Sequence, residues 1–460
     1  MEFDMRAFAA ALCRYRSTAG EEAAAAAFVA ERLADLGFET YAWDADPAVL
    51  ADHPSFPDNL DAAAVAGRRS VAGVLELGGA GDAADAADAG DAVGENGGGD
   101  PVPTLVLNGH LDVAPAEPTE WSSDPFEPVW CDAGDGGADG DAGADAGGDG
   151  IGESLTARGA ADMKSGLAAC VGAAVDVREG VADGSIDLPP SGLRLVVEAV
   201  AGEEDGGYGA ATAALASPYP FERDAAIVAE PTELRPVVAC EGSLMARLEI
   251  DGRSAHAATR WRGEDVLPRF EAIREAFSAL EAERGESVQH PLYGAFPVPW
   301  PVVCGRVEAG SWASTVPATL EAEFRIGVAP GETVAEVETA FRERLDAVAA
   351  DDPWLREHLP RFERFSVQFE PAEIAVDEPV VEAVRAGLVA TGLPDAEPRG
   401  ATYGADSRHL VAAGIPAVLF GPGTIDEAHY PDETIAWEQV VRARDAIAAA
   451  AARFATDHAA

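Results

Sequence analysis

The stretch Leu105-Val106-Leu107-Asn108-Gly109-His110-Leu111-Asp112-Val113 decides the fold reading. An apolar run too short for a helix stops at Asn-Gly, and a histidine and an aspartate follow at once. The same punctuation recurs in Leu193 to Val200 before Ala201-Gly202-Glu203-Glu204, in Ala225 to Ala229 before Glu230-Pro231, and in Ala417 to Phe420 before Gly421-Pro422-Gly423. Helical stretches such as Gly166 to Arg178 lie between these runs. Short apolar runs interleaved with helices mark an α/β domain with a mostly parallel central sheet. Open sheets of that kind place their sites beyond the carboxyl ends of the strands, where these polar residues fall.

From Ser243 to about Pro371 the pattern changes. Leu244 to Ile250, Val302 to Val307, Thr319 to Val328 and Phe365 to Phe369 read as strands, and Asp265 to Glu283 and Thr333 to Val348 as helices. The order β-α-β-β-α-β is that of a ferredoxin-like α+β unit, inserted into the larger domain. The expected division is therefore a catalytic domain over 1–242 and 371–460, with the insert over 243–370. Two low-complexity acidic stretches, near 78–100 and 132–150, cannot build a core and read as mobile loops, deletable without loss of activity. A calcium-binding reading of the second lacks the regular spacing that such repeats need.

A chain of 460 residues exceeds what a single core usually serves, which agrees with two domains. The 81 acidic against 32 basic side chains leave a formal charge of −49, which repels nucleic acid and anionic membrane surfaces. Lys164 is the sole lysine, and the carboxylates are spread along the whole chain. That composition reads as halophilic adaptation to a salty cytoplasm. Five separated cysteines, with no C-x-x-C pair, argue against disulfides and thiolate zinc sites. With no leader-like start and no long apolar window, a cytoplasmic protein is expected.

Cleaving an amide at neutral pH needs a strong nucleophile and a means of holding charge on the carbonyl oxygen, and two divalent metals sharing a water supply both. The residues that end the strands offer the imidazoles and carboxylates this requires. In extended backbone His110 and Asp112 point the same way, so the Asp112 carboxylate is placed to bond the ring of His110. Glu203 and Glu204 turn in different directions, one toward metal and one toward the attacked water. Taken singly each element is weak: Asp162 also reads as a helix cap, Glu230 as a strand exit and His429 as a loop residue.

As a set, the segments Gly109 to Val113, Arg158 to Gly166, Gly202 to Gly207, Glu230-Pro231-Thr232, Ser254-Ala255-His256-Ala257, and Gly421-Pro422-Gly423 with Ala428-His429 resemble the acetylornithine deacetylase / succinyl-diaminopimelate desuccinylase family. These di-metal amidohydrolases include aminoacylases and glutamate carboxypeptidases. The resemblance implies a zinc-peptidase-like catalytic domain and an inserted domain that serves as lid and dimerisation surface. It implies two divalent metal ions, zinc first and cobalt second. His110, Asp162 and Glu230 would hold one ion, and Asp162, Glu204 and His429 the other, with Asp162 as the bridge. Glu203 would be the general base, Asp112 the residue orienting His110, and His256 an electrophile reaching the carbonyl oxygen from its own or a neighbouring subunit. Arg325 and Arg408 match positions that bind a substrate carboxylate. The bond between Asp162 and Met163 would be cis, with Lys164 anchoring that turn. Two departures bear on the substrate: Glu264-Asp265 follows Gly263, and Ser314-Thr315 precedes Val316-Pro317, where relatives often carry asparagine. The expected substrate is an N-acetyl or N-succinyl amino acid of amino-acid biosynthesis. A peptide cleaved by a carboxypeptidase or dipeptidase with the same site is the alternative.

Overall fold

The computed structural model describes residues 3–51, 53–56, 61–78, 102–131 and 152–458. The stretches 78–100 and 132–150, expected to be mobile, lie outside the described residues apart from Gly78. Along the chain run β1 (Glu39–Asp44), β2 (Arg69–Leu77), β3 (Thr104–His110), β4 (Val129–Cys131), β5 (Ser154–Thr156), β6 (Leu193–Val200), β7 (Ala225–Val228) and β8 (Val237–Cys240). They continue as β9 (Gly242–Asp251), β10 (Val302–Ala309), β11 (Thr319–Val328), β12 (Arg361–Arg364), β13 (Ala372–Glu373), β14 (Arg399–Ala401), β15 (Ala417–Leu419) and β16 (Thr434–Ala436).

The main sheet has the order β1-β2-β6-β3-β7-β15-β8-β13, with β14 also paired to β8. Its centre, β6-β3-β7-β15, is parallel, and antiparallel strands flank it on both sides. Every residue of β3 and β7 is buried, which is why Leu105-Val106-Leu107 and Ala225 to Val228 read as apolar runs. The helices Ser165–Asp183 and Trp437–His458 cover the sheet and join its core. Gly166 sets how closely the first of these approaches. A β-carbon there would stand 2.2 Å from the Ala229 carbonyl oxygen, so only glycine lets the helix start come down on the end of β7.

Strands β10-β11-β9-β12 form a separate antiparallel sheet, covered by the helices Leu267–Ser287 and Val334–Asp351 around a core of its own. Thr333 and Glu336 close a reciprocal cap on the second helix. The last strand of this unit is Arg361–Arg364, not the expected Phe365 to Phe369. Residues 365–369 stay beside β9, with Phe365 N–H on the Met245 carbonyl and Phe369 bridging Ser243, but two side-chain interactions break the regular ladder between them. The Gln368 side chain takes both backbone groups of Met245, and Val367 turns into a small cluster with Tyr208 and Phe56. Among the described residues no helix is long and apolar enough to cross a membrane.

Candidate metal centre

His110 ends β3, Glu230 follows β7, and Glu203 and Glu204 follow β6. The parallel register of these neighbouring strands brings their carboxyl ends to one place. Asp162 arrives from the turn before the helix Ser165–Asp183, across a cis peptide bond to Met163, and His429 comes from a loop with a positive φ of 64°. One ligand atom from each of His110, Asp162 and Glu230 lies within 4.8 Å of the others, and the same holds for Asp162, Glu204 and His429. Asp162 belongs to both groups: its Oδ1 is 3.0 Å from His110 Nε2, and its Oδ2 is 3.6 Å from His429 Nε2.

The donor set fits a pair of divalent cations. His110 Nδ1 lies 2.8 Å from the Asp112 carbonyl oxygen, which only accepts, so Nδ1 carries the proton. That leaves Nε2 facing a carboxylate oxygen at 3.0 Å, a contact satisfied by a proton or by a divalent cation held between the two. His429 Nε2 faces Glu204 Oε2 at 3.0 Å in the same way, and Glu204 Oε1 is buried without a hydrogen-bond partner. Burial and the neighbouring carboxylates push Glu203 and Glu230 well above the ordinary carboxylate range. Such a concentration of buried negative charge is stable only when cations or protons offset it.

Asp112 differs from expectation. Its backbone carbonyl, not its carboxylate, orients His110, while its carboxylate accepts the N–H groups of Gly202, Glu203 and Glu204 at 2.7, 3.1 and 2.9 Å. The turn after β6 brings three donors to one acidic side chain, and they outcompete the imidazole for it. Asp112 thereby aims the Glu203-Glu204 pair. Glu433, which the sequence reading does not single out, does the same for Asp162, the side chain common to both donor groups. It accepts N–H bonds from Gly159, Ala161 and Asp162 and pairs with the Arg158 guanidinium at 2.7 Å. Arg158 in turn donates to the His429 carbonyl at 3.3 Å. Lys164 is fully buried and donates to the Tyr15 carbonyl at 2.9 Å, tying this turn to the N-terminal segment, and burial lowers its pKa to about 8.

Three candidate residues lie elsewhere. His256 is exposed, its Nδ1 accepts the Ala258 N–H, and among the described residues it makes no bond to the metal donors. Arg408 is buried and gives its two terminal nitrogens to the carbonyls of Gly206 and Ala405 over the Phe369 ring, so in this structure they hold the turn after Glu203-Glu204. Arg325 bonds Glu241 at 3.0 Å and the Thr402 carbonyl at 3.2 Å, joining the smaller sheet to the main one. Charge alone marks all these arginines in the sequence, and packing decides which become scaffold.

Comparison with known proteins agrees with this geometry. The chain is 28% identical over 357 residues to N-formyl-4-amino-5-aminomethyl-2-methylpyrimidine deformylase of Bacillus subtilis (strain 168), covering 74% of this chain and 76% of that protein. It is 26% identical over 348 residues to acetylornithine deacetylase of Erwinia tasmaniensis, covering 75% and 78%. Human carnosine dipeptidase 1 shares the fold, with a TM-score of 0.67 at 15% identity over 98% of this chain and 96% of that one. The family described as peptidase family M20/M25/M40 matches residues 106–453, which is most of the chain and includes all five candidate metal-donor side chains; the protein belongs to that family and is a hydrolase.

Proposed function

We propose that the protein hydrolyses the amide bond of an N-acyl amino acid, releasing a carboxylate and a free amine. The observation that carries this reading is the convergence of His110, Asp162, Glu204, Glu230 and His429 around a shared aspartate, with Glu203 buried beside them and in no ligand group. The resemblance to a deacetylase and a deformylase supports an acyl substrate. His110, Asp162 and Glu230 would hold one divalent cation and Asp162, Glu204 and His429 the second, with zinc the favoured metal and cobalt the substitute. When bound, such a pair polarises the carbonyl and makes water a nucleophile at neutral pH.

Glu203, held in place through its N–H on Asp112, takes the proton of the attacking water and delivers it to the leaving amine. The unit built on β9 to β12 acts as a lid and pairs with a second copy, so that His256 of the partner subunit reaches the carbonyl oxygen. Exposed Val303 and Val307 on the edge strand β10 support such a contact. To bind a substrate carboxylate, Arg325 would release Thr402.

The deciding experiment loads the purified protein with zinc or cobalt and assays a panel of N-acyl amino acids against dipeptides and C-terminal peptide substrates. Turnover of N-acyl amino acids with no dipeptide cleavage supports the proposal, and the reverse preference sinks it. Glu203→Gln should keep its metal content while kcat falls about 100- to 10,000-fold. Retained turnover would remove Glu203 from its role.

A further inference from the structure

A cleft of about 530 Å³ opens beside Glu204, between the main sheet and the smaller unit. Its apolar lining includes Ala64, Ala66, Val367 and Phe369. The polar wall holds Glu204, Asp205 and Arg68, and Arg68 is the only basic residue among the described residues that line it. Its guanidinium is already committed. It is buried, it bonds Asp205 at 2.7 Å and Glu22 at short range, and it lies 4.0 Å from Asp112. Three carboxylates thus share one cation, and among the described lining residues no further basic side chain is left to neutralise another negative charge. The Asp205 carboxylate, about one-third exposed, meets whatever enters.

We infer that this cleft receives an apolar or cationic substituent of the substrate, carried next to the scissile amide, and rejects a second carboxylate. The inference rests on the amide-hydrolase reading and narrows it. N-acetylated amino acids with apolar or basic side chains fit, whereas N-succinyl groups or acidic side chains directed here meet like charge without a counter-ion.

The test varies side chain and acyl group separately. One series is N-acetyl-glycine, -methionine, -ornithine and -glutamate, and the other is N-acetyl-, N-butyryl- and N-succinyl-methionine. Whichever series shows the penalty identifies the group that occupies the cleft. The anionic member of that series should show kcat/KM about 100-fold below its apolar counterpart. Ala64→Phe should cost about tenfold for the bulky members while leaving N-acetylglycine within about twofold. Ala66→Arg should raise the anionic member about tenfold.

Calorimetric binding of both series to metal-loaded Glu203→Gln protein reads the cleft independently of turnover. The same order of affinities without any hydrolysis by the wild type would sink the amide-hydrolase reading but keep the cleft assignment. Anionic members that bind and react as well as the others, or an Ala64→Phe loss equal for all members including N-acetylglycine, would overturn the inference.

Discussion

Glu433 shows how much a single residue outside the ligand set contributes to such a centre. Its carboxylate satisfies three backbone N–H groups around Asp162 and neutralises Arg158, all of it buried. Glu433→Ala leaves the Arg158 charge buried and unpaired, and removal of one partner of such a pair costs about 3–5 kcal/mol. The same change frees Asp162, the residue shared by both candidate metal groups, so metal affinity should fall about 10- to 100-fold. Chemical denaturation and competition with a chelator measure the two effects. Unchanged metal affinity in a variant that still folds would show that Asp162 is positioned without Glu433. This residue was not legible in the sequence: in a chain with 81 acidic side chains, one more glutamate four residues past His429 carries no signal. The donors were legible because histidine is scarce, with eight in the chain, and because each donor closes a strand or opens a helix. The use of Asp112 was half legible, since its spacing from His110 places it correctly but cannot separate its carbonyl from its carboxylate.

Elements were readable where burial sets the pattern and obscure where side chains substitute for backbone. The fully buried strands β3 and β7 appear as apolar runs, whereas the exit from β12 depends on Gln368 reaching Met245, which no periodicity reports. The helix Ser165–Asp183 depends on Gly166 for its approach to β7. Gly166→Val would force backbone apart at the level of Asp162 and Glu230; overpacking of this kind costs about 1–3 kcal/mol, and metal retention should suffer with it. A variant with wild-type stability and metal content would show that the helix start can shift freely.

The junction between β8 and β9 carries a second dependence. Glu241 is buried there against Arg325, and burial raises its pKa from 4.5 to about 8 despite the arginine. Between those values the folded chain binds a proton that the unfolded chain has released. The stability from this group is complete below 4.5 and is lost as pH rises toward 8. Wild-type stability should therefore fall relative to Glu241→Gln over that range, by up to about 1.4 kcal/mol per pH unit. Parallel curves for the two proteins from pH 5 to 8 would show that Glu241 is ionised throughout.

At the scale of the whole molecule, charge is the dominant fact. Pairing every basic side chain with an acidic one still leaves the formal excess of 49 negative charges. Many of the ion pairs present, such as Arg69 with Asp44 and Arg442 with Glu438, are exposed on both sides, and pairs of that kind contribute about 0–1 kcal/mol each. Added salt weakens these attractions and also screens the repulsions, so the sign of its effect depends on which set is larger. The excess of acids decides it for repulsion. Screening shortens from about 10 Å at 0.1 M to about 3 Å at 1 M salt. The melting temperature should accordingly climb from 0.1 to 2 M potassium chloride, with most of the gain below 1 M where the screening length changes fastest. Chloride is the salt of choice, because sulfate strengthens apolar burial in any protein and would confound screening with exclusion. A melting temperature that stays flat or falls as potassium chloride is added would mean that the local ion pairs outweigh the net repulsion and that the acidic surface serves some end other than folding in salt.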